Sequence, residues 1–170
     1  MRSSQQICVL IPTYNNAGTI ADVVQRVHQY VRDIIVVVDG STDDTIAQLQ
    51  ALDFSVDIVS HPKNRGKGAA LVSGFRKAIE LGYDFAITLD ADGQHYPEDI
   101  PVLLRAHDIH PNALIVGSRQ FPDANMPGKS KFANRFSNFW FALQTTTHLP
   151  DTQTGMRLYP LHSLHGLSIL

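Results

Sequence analysis

The sequence holds a single cysteine, Cys8, so no disulfide can form within the 170-residue chain. It also lacks any run of about 18 apolar residues, and its first residues, MRSSQQ, are polar, so neither a membrane-spanning helix nor a signal peptide is predicted. The formal net charge is only -2, which gives no general attraction to nucleic acid. These absences predict one cytoplasmic globular domain without a nucleic-acid partner, with Cys8 packed in the core rather than acting as a nucleophile.

Apolar runs rich in β-branched residues alternate along the chain with segments of helical periodicity. Strands are predicted over five such runs, 7–11, 33–39, 55–60, 83–90 and 113–118. Helices are predicted between them, over 17–31, 44–52 and 67–81, with a further helix starting at Pro97. This order predicts an α/β domain with an open, mainly parallel sheet and helices on both faces.

The alternation fades after residue 118. A polar loop, RQFPDANMPGKSK, is followed by a helical pattern in FANRFSNFWFALQ and by one candidate strand in DTQTGMRLYP. The aromatic residues of the helical pattern fit either an amphipathic helix at a membrane surface or ordinary packing against the sheet. No linker or repeat interrupts the chain, so we expect one domain over 1–170, incomplete at its C-terminal end.

Polar side chains follow three of the predicted strands, at the edge of a parallel sheet where ligands bind. The first strand ends in Pro12-Thr13-Tyr14-Asn15, the second in Asp39-Gly40-Ser41 and the fourth in Asp90-Ala91-Asp92. Two carboxylates this close favour a shared cation, and oxygen ligands suit Mg²⁺ or Mn²⁺, to which Gln94 could add an amide oxygen. A solvated turn is the alternative for both Asp39 and the Asp-Ala-Asp segment.

A glycine-flanked basic segment, Asn64-Arg65-Gly66-Lys67-Gly68, leads directly into the helix predicted over 67–81. Free backbone N–H groups and positive charge at a helix N-terminus attract an anion. The segment is not a Walker A motif, and no G-x-G-x-x-G follows the first strand, which argues against a dinucleotide site. A solvated loop is again the alternative.

Six motifs in this order and spacing resemble family 2 glycosyltransferases of the GT-A fold: VLIPTYNNAGTI, IIVVVDGSTDDT, NRGKGAALVSGF, TLDADGQHYPEDI, VGSR and DTQTGMRLY. The likeness covers residue 7 to about residue 160 and is greatest for the dolichol- and polyprenyl-phosphate sugar synthases, such as dolichol-phosphate mannosyltransferase. It implies a Rossmann-like GT-A sheet, with a nucleotide-sugar half over about 1–118 and an incomplete acceptor half over about 119–170.

The resemblance implies a nucleotide-diphosphate sugar donor, of the GDP-mannose or UDP-glucose type, with Mg²⁺ or Mn²⁺ as cofactor. The implied donor-binding positions are Pro12, Thr13, Tyr14, Asn15, Asp39, Gly40, Lys67, Asp90, Ala91 and Asp92. The implied metal ligands are Asp90, Asp92 and Gln94. The implied catalytic positions, whose arginines would meet donor or acceptor phosphates, are Asp92, Asp151, Arg119, Arg135 and Arg157.

The resemblance also implies transfer to a polyprenyl or dolichyl phosphate, with peripheral contact on the cytoplasmic face of a membrane. Inversion is predicted because the sequence offers no spare nucleophilic carboxylate for a covalent intermediate. A lipid phosphate is already an anion and needs only arginines to align it, whereas a glycan hydroxyl needs a carboxylate base, for which Asp151 is the candidate. Two alternatives stay open: transfer to a glycan hydroxyl in cell-envelope polysaccharide synthesis, and an inactive nucleotide-sugar-binding remnant.

Three positions depart from the resembled pattern. Asn16 stands where many relatives have Glu, Val38 where they have the first Asp of DDGS, and Met156 where they have Phe. The first two bear on base selectivity more than on the chemistry. A pyrophosphorylase fits less well because it needs a Gly-rich loop after the first strand, and a haloacid-dehalogenase-type phosphatase because it needs Thr or Val where Gln94 stands. Of the eight histidines, only His95 is singled out, because it adjoins the metal motif.

Overall fold

The computed structural model describes residues 6–117 and 156–164. Its strands are β1 Ile7–Thr13, β2 Ile34–Asp39, β3 Asp57–His61, β4 Phe85–Thr88, β5 Ile115–Val116 and β6 Arg157–Pro160. Its helices are α1 Ile20–His28, α2 Thr45–Gln50, α3 Lys67–Glu80 and α4 Ile100–Ile109, with 3-10 turns at Pro97–Asp99 and Leu161–Leu164. The helix predicted in FANRFSNFWFALQ lies outside the described residues. Within the described ranges, no helix has the length and apolar character needed to cross a bilayer.

The strands form one six-stranded sheet in the order β3-β2-β1-β4-β6-β5. β1 pairs in parallel with β2 and β4, β2 pairs in parallel with β3, and β6 runs antiparallel to both β4 and β5. The predicted α/β class and mainly parallel sheet are therefore confirmed. The candidate strand in DTQTGMRLYP is also present, and it inserts between β4 and β5 in the sheet.

Two strands are shorter than the apolar patterns that predict them. The run 83–90 forms a strand only over Phe85–Thr88, although Leu89 is still fully buried. The run 113–118 pairs only over Ile115–Val116 in its described part, because Ala113 belongs to the turn after α4, where its N–H donates to the carbonyl of His110. The first run records burial that continues past the paired residues to Leu89, whereas in the second run Leu114 is 49% exposed.

Alternate side chains of the central strands fill two cores, one on each face of the sheet. On one face Val36 and Val38 join a core with residues of α1, α2 and α4, and on the other Ile35 and Val37 join a core with α3. Each such side chain contributes roughly 1.5–3 kcal/mol when fully removed from water. Cys8 lies in the second core at 0% exposure, and burial raises the pKa of its thiol to about 12, as expected of a core residue.

The helix α3 packs closely against the sheet. Gly74 of α3 packs on Leu10 of β1, and any Cβ at this position would collide with the leucine side chain. The helix therefore lies against the strands along its length. Its first residue, Lys67, comes to the edge of the sheet where β1, β2 and β4 end.

Candidate functional site

A cleft of about 330 Å³ opens at the carboxyl edge of the sheet. It is lined by residues that follow β1, β2 and β4 and by the start of α3: Pro12, Thr13, Tyr14, Asn16, Asp39, Asn64, Gly66, Lys67, Ala70, Asp90, Ala91 and Asp92. The structure thus brings together most of the donor-binding positions predicted from the sequence. Asn15, Gly40 and Gln94 lie outside this lining.

The turn after β1 is locked onto the loop after β2 by hydrogen bonds. Asn15, in the left-handed backbone region at φ 53°, donates its N–H to Ser41 Oγ at 3.0 Å. Its Oδ1 accepts from the N–H of Thr42 at 2.8 Å, and the N–H of Asn16 donates to Thr45 Oγ1 at 3.1 Å. Asn15 therefore holds the two loops together, and its contact with a nucleotide stays a prediction.

Asp43 also joins the same two loops through hydrogen bonds. Its Oδ2 accepts from the N–H of Ala17 at 3.0 Å, and its Oδ1 accepts from the hydroxyl of Thr45 at 2.5 Å and from the N–H of Thr45 at 3.1 Å. These hydrogen bonds, above all the one from the Thr45 hydroxyl, lower the pKa of Asp43. These protein contacts hold the residues that directly follow the Pro12–Tyr14 segment.

Asp39, the last residue of β2, is only 3% exposed, and protein donors occupy both of its oxygens. Oδ1 lies 2.6 Å from Nδ1 of His61 and accepts from the N–H of Arg65 at 3.0 Å. Oδ2 accepts from the N–H groups of Gly66 at 2.7 Å and Arg65 at 3.1 Å. Burial alone raises the pKa of Asp39, but these hydrogen bonds outweigh it and lower the pKa overall. Asp39 anchors the loop before α3, and its contact with base and ribose stays a prediction.

Gly40 lets that loop reach the cleft. Its φ is +71°, a conformation that L side chains rarely adopt, and the backbones of Lys63 and Asn64 occupy the space where a Cβ would lie. The loop therefore crosses directly over Gly40. The residue shapes the site by permitting this close approach, from a position outside the cleft lining.

The opposite wall of the cleft is the turn Asp90-Ala91-Asp92. Its centre is held by Thr19, whose hydroxyl donates to the carbonyl of Ala91 at 2.6 Å. Its end is closed by the N–H of Gln94, which donates to Oδ1 of Asp92 at 2.9 Å. Asp92 is otherwise exposed to solvent. This wall is thus fixed through its backbone, which leaves carboxylate oxygens available to a ligand.

Lys67 pairs with Asp90 at this cleft. Its Nζ lies 2.6 Å from Oδ1 of Asp90, with the lysine side chain 57% exposed and the aspartate side chain 21% exposed. The ring of His95, which is buried, brings Nδ1 to 4.0 Å from the other oxygen of Asp90. An ion pair as exposed as Lys67–Asp90 contributes at most about 1 kcal/mol. A ligand that brings its own charge can therefore replace either partner.

Asp90 and Asp92 fit the predicted Mg²⁺ or Mn²⁺ as part of a ligand set. Both line one cleft with hard oxygen donors, and Mg²⁺ is typically held by one or two carboxylates together with water and substrate phosphates. In the described ranges, no three His, Cys, Asp or Glu side chains gather closely enough to hold a metal by themselves. Further ligands would have to be supplied by a bound diphosphate, water or other residues, and the role of Gln94 stays a prediction.

Arg157 is the predicted catalytic arginine that falls within the described residues. It opens β6 opposite Thr88 of β4, at the carboxyl edge of that strand, and its Nη1 donates to the hydroxyl of Tyr159 at 3.4 Å. It is not part of the cleft lining. The other predicted catalytic positions after β5, Arg119, Arg135 and Asp151, lie outside the described residues, and their roles stay predictions.

Two residues that shape the site, His61 and Thr19, are not among the site residues predicted from the sequence. His61 ends β3 opposite Asp39 in the β2–β3 register. A histidine and an aspartate at the ends of two adjacent parallel strands are therefore the sequence feature that could have predicted this pair. Thr19 precedes α1 and resembles an ordinary helix-capping residue. Its partner Ala91 is 72 residues away in the chain, and no local pattern connects the two.

The fold is that of the GT-A glycosyltransferases. Glucosyl-3-phosphoglycerate synthase from Mycobacterium tuberculosis, solved with Mn²⁺, UDP-glucose and phosphoglyceric acid, matches with a TM-score of 0.74 at 22% identity. The match covers 95% of this chain and 58% of that one, so the chain spans less than two thirds of the length of this solved structure. A second structure, described as a mycobacterial protein, matches with a TM-score of 0.73 at 21% identity, over 95% of this chain and 55% of that one.

The sequence profile described as glycosyl transferase family 2 matches residues 8–165, and the chain belongs to this family. A UDP-N-acetylglucosamine–dolichyl-phosphate N-acetylglucosaminyltransferase from Methanococcus voltae is 33% identical, over 95% of this chain and 72% of that protein. A polyprenol monophosphomannose synthase from Mycolicibacterium smegmatis is 34% identical, over 99% and 67%. An undecaprenyl-phosphate mannosyltransferase from Micrococcus luteus is 31% identical, over 96% and 70%. The predicted family is confirmed.

Proposed function

We propose that this chain transfers a sugar, with inversion, from a nucleotide-diphosphate sugar to a polyprenyl or dolichyl phosphate. One observation carries the proposal: the carboxylates of Asp90 and Asp92 line the same cleft as Lys67, the first residue of α3. The relatives from M. voltae, M. luteus and M. smegmatis, whose names specify dolichyl, undecaprenyl and polyprenol carriers, support the lipid-phosphate acceptor. Such an acceptor keeps the chain in peripheral contact with the cytoplasmic face of a membrane.

Charge orients the donor in the cleft. The diphosphate lies beside Lys67 and the Asp90–Asp92 turn, where the N-terminus of α3 adds backbone N–H groups and the positive end of the helix dipole. The nucleoside extends toward Pro12–Tyr14 and Asn16, on the wall whose loops are already locked together. Tyr14, which is 45% exposed, offers an aromatic face to the base.

The residues of the Asp90–Asp92 wall prepare departure of the diphosphate. Asp90 and Asp92 would hold a divalent ion, which would supply positive charge that stabilises the leaving group. Lys67 neutralises Asp90 before the donor arrives and pairs with a phosphate oxygen afterwards, since its side chain is exposed enough to exchange partners. The hydrogen bond from Thr19 holds the backbone between the two carboxylates.

The carboxylates that the cleft offers support the proposed inversion. In the described part of the chain, its acidic lining residues are Asp39, Asp90 and Asp92. Asp39 already accepts hydrogen bonds on both oxygens, and the other two are assigned to the cation, so none is placed to form a covalent sugar intermediate. The acceptor phosphate attacks directly, aligned by arginines such as Arg157, and needs no general base.

Calorimetric titration with UDP-glucose, GDP-mannose and UDP-N-acetylglucosamine, each with and without Mn²⁺, tests the donor site. We expect metal-dependent binding of one of the three, followed by formation of a polyprenyl-phosphate sugar when a polyprenyl phosphate is added, detected by mass spectrometry. Absence of binding to all three would contradict the donor site. Binding without transfer would favour the inactive remnant, and transfer to a glycan hydroxyl alone would favour the cell-envelope alternative with Asp151 as base.

A further inference from the structure

His61 and Asp39 form a buried pair behind the cleft. They are the final residues of β3 and β2, stand opposite each other in the strand register, and are 9% and 3% exposed. Nδ1 of His61 lies 2.6 Å from Oδ1 of Asp39, and Nε2 lies 2.9 Å from Oγ of Ser73 on α3. The imidazole ring is therefore held at both nitrogens, between a neighbouring strand and a helix.

The pair reaches the cleft through the loop before α3. The N–H groups of Arg65 and Gly66 donate to the same Asp39 carboxylate, at 3.0 Å and 2.7 Å. Gly66 is the N-cap residue of α3, and Lys67 is the first residue of that helix. A carboxylate that accepts from three residues makes all of these bonds in one orientation, so rotation of Asp39 would release the loop.

We infer that His61 is a positioning residue of the donor site. By fixing the Asp39 carboxylate, it fixes the backbone of Arg65 and Gly66 and hence the place of Lys67 opposite Asp90. The consequence for activity rests on the proposed function, since the place of Lys67 matters to transfer only if a diphosphate binds there. His61 and Ser73 are both absent from the cleft lining, so this aligned Asp, His and Ser set has no access to a substrate as a hydrolytic triad would.

An imidazole suits this place because it can donate at one nitrogen and accept at the other. In the neutral ring, Nδ1–H donates to Asp39 and Nε2 accepts from the Ser73 hydroxyl. An asparagine amide can reproduce the donor to Asp39 but cannot reach Ser73 at the same time. The variant His61→Asn therefore keeps the contact that positions the loop, whereas His61→Ala removes both contacts.

Hydrogen exchange without donor tests the positioning directly. In His61→Ala, the amides of Arg65 and Gly66 should exchange about tenfold faster, because a partner of their shared acceptor is lost. In His61→Asn, most of the protection should return. His107→Ala is the matched control, since His107 is also a buried histidine but lies on α4, against the ring of Phe85. Unchanged exchange in His61→Ala, or an equal gain in His107→Ala, would overturn the inference.

If His61→Ala does not fold, hydrogen exchange in Ser73→Ala tests the same inference. It removes the hydroxyl that contacts Nε2 of the His61 ring. The amides of Arg65 and Gly66 should then exchange about threefold faster. Exchange as slow as in the wild type would contradict a ring fixed at both nitrogens.

Donor affinity tests the consequence for the site. UDP-glucose, GDP-mannose and UDP-N-acetylglucosamine are titrated with Mn²⁺ into the wild type, His61→Ala, Lys67→Ala and the double variant. His61→Ala should bind about tenfold more weakly, and the double variant no more weakly than Lys67→Ala, because both act through one ammonium group. Additive losses would contradict this. If the wild type binds none of the three, the proposed function fails while hydrogen exchange still decides the inference; if it binds and His61→Ala binds equally, the inference alone fails.

Discussion

Asp39 ends β2 and Asp90 follows β4, the two strands that flank β1, yet the surroundings of the two carboxylates differ. Asp39 is 3% exposed, and its oxygens accept from His61, Arg65 and Gly66. The Asp90 side chain is 21% exposed, and its closest charged partner is the exposed ammonium of Lys67. Position at the end of a strand therefore does not decide how far a carboxylate is free to meet a ligand. That depends on the number of donors that the protein itself directs at the carboxylate.

The contrast extends to the two walls of the cleft. On the β2 wall, Asn15 and Asp43 lock one loop to the next, and Asp39 anchors a third. On the β4 wall, the turn is held at the carbonyl of Ala91, and its carboxylates face the cleft. The carboxylates of the β2 wall are therefore occupied by protein donors, whereas those of the β4 wall keep oxygens exposed to the cleft. Variants of the β4 wall should therefore fail in binding, and variants of the β2 wall should fail in folding.

Asp92→Asn should have the largest effect on donor binding and should leave folding unchanged. The amide keeps the size of the side chain and an acceptor for the N–H of Gln94, but it removes the charge that attracts the cation. Donor affinity measured by calorimetry with Mn²⁺ should fall on the order of 100-fold, since loss of even a supporting partner of a metal ligand costs about 10–100-fold. Unfolding by urea should match the wild type. Asp53→Asn, at an exposed aspartate outside the cleft, is the control, and equal affinities in the two variants would remove Asp92 from the metal site.

Gly40→Ala and Gly93→Ala compare how much the two walls contribute to the stability of the fold. Both glycines have positive φ, +71° and +76°, so an alanine is strained at either place by about 1–2 kcal/mol. At Gly40 the new Cβ would also collide with the backbone of Asn64, whereas at Gly93 its nearest neighbour is Thr19 Cγ2 at 3.9 Å. We expect a total loss of about 3–4 kcal/mol for Gly40→Ala, because overpacking against backbone adds to the strain.

The measurement for this pair is the free energy of unfolding in urea. Gly93→Ala should lose only the strain of its backbone, about 1–2 kcal/mol. Equal losses in the two variants would show that the loop over Gly40 moves aside freely, and the difference between the walls would then disappear.

Much of this arrangement is predictable from the sequence, because its signals are local. The β-branched runs predict the strands, and the rule that ligands bind beyond the carboxyl ends of parallel strands brings Asp39, Lys67 and Asp90 to one edge. The unpredicted part is long-range pairing. The insertion of β6 between β4 and β5 depends on residues about 70 apart in the chain.

The sequence also does not predict which groups a side chain will hydrogen-bond, as Asp39 and Thr19 illustrate. The DGS segment predicts that Asp39 ends a strand at the ligand-binding edge, but not that three protein donors occupy its carboxylate. Thr19 has the sequence context of a capping residue, while its shortest hydrogen bond supports the metal motif. Motifs therefore identify which residues meet at the site, and only the three-dimensional contacts separate ligands from anchors.

Asp39→Asn should lower stability and change its dependence on pH. The amide turns a donor toward the backbone N–H groups that the carboxylate accepts, which should cost about 2–3 kcal/mol at this buried position. Because hydrogen bonding lowers the pKa of Asp39 in the folded chain, its contribution is present above the unfolded pKa of about 4 and is lost as the pH falls further toward the folded value. Urea unfolding between pH 7 and pH 3 should therefore show a steeper acid loss for the wild type than for the variant. Parallel curves would contradict the anchoring role.

Thr19→Val should have the smallest effect, and it tests whether the β4 wall is supported through its backbone. Valine keeps the shape of threonine but removes the hydroxyl that donates to the carbonyl of Ala91. Because this hydroxyl acts on the carboxylates only through the peptide between them, Mn²⁺-dependent donor affinity should fall by about fivefold, below the usual range for partners that contact a metal ligand. Thr19→Ser keeps the hydroxyl and should bind as the wild type does. If Thr19→Ser weakens binding while Thr19→Val binds as the wild type does, the methyl group rather than the hydrogen bond supports the turn, and both walls would then depend on packing.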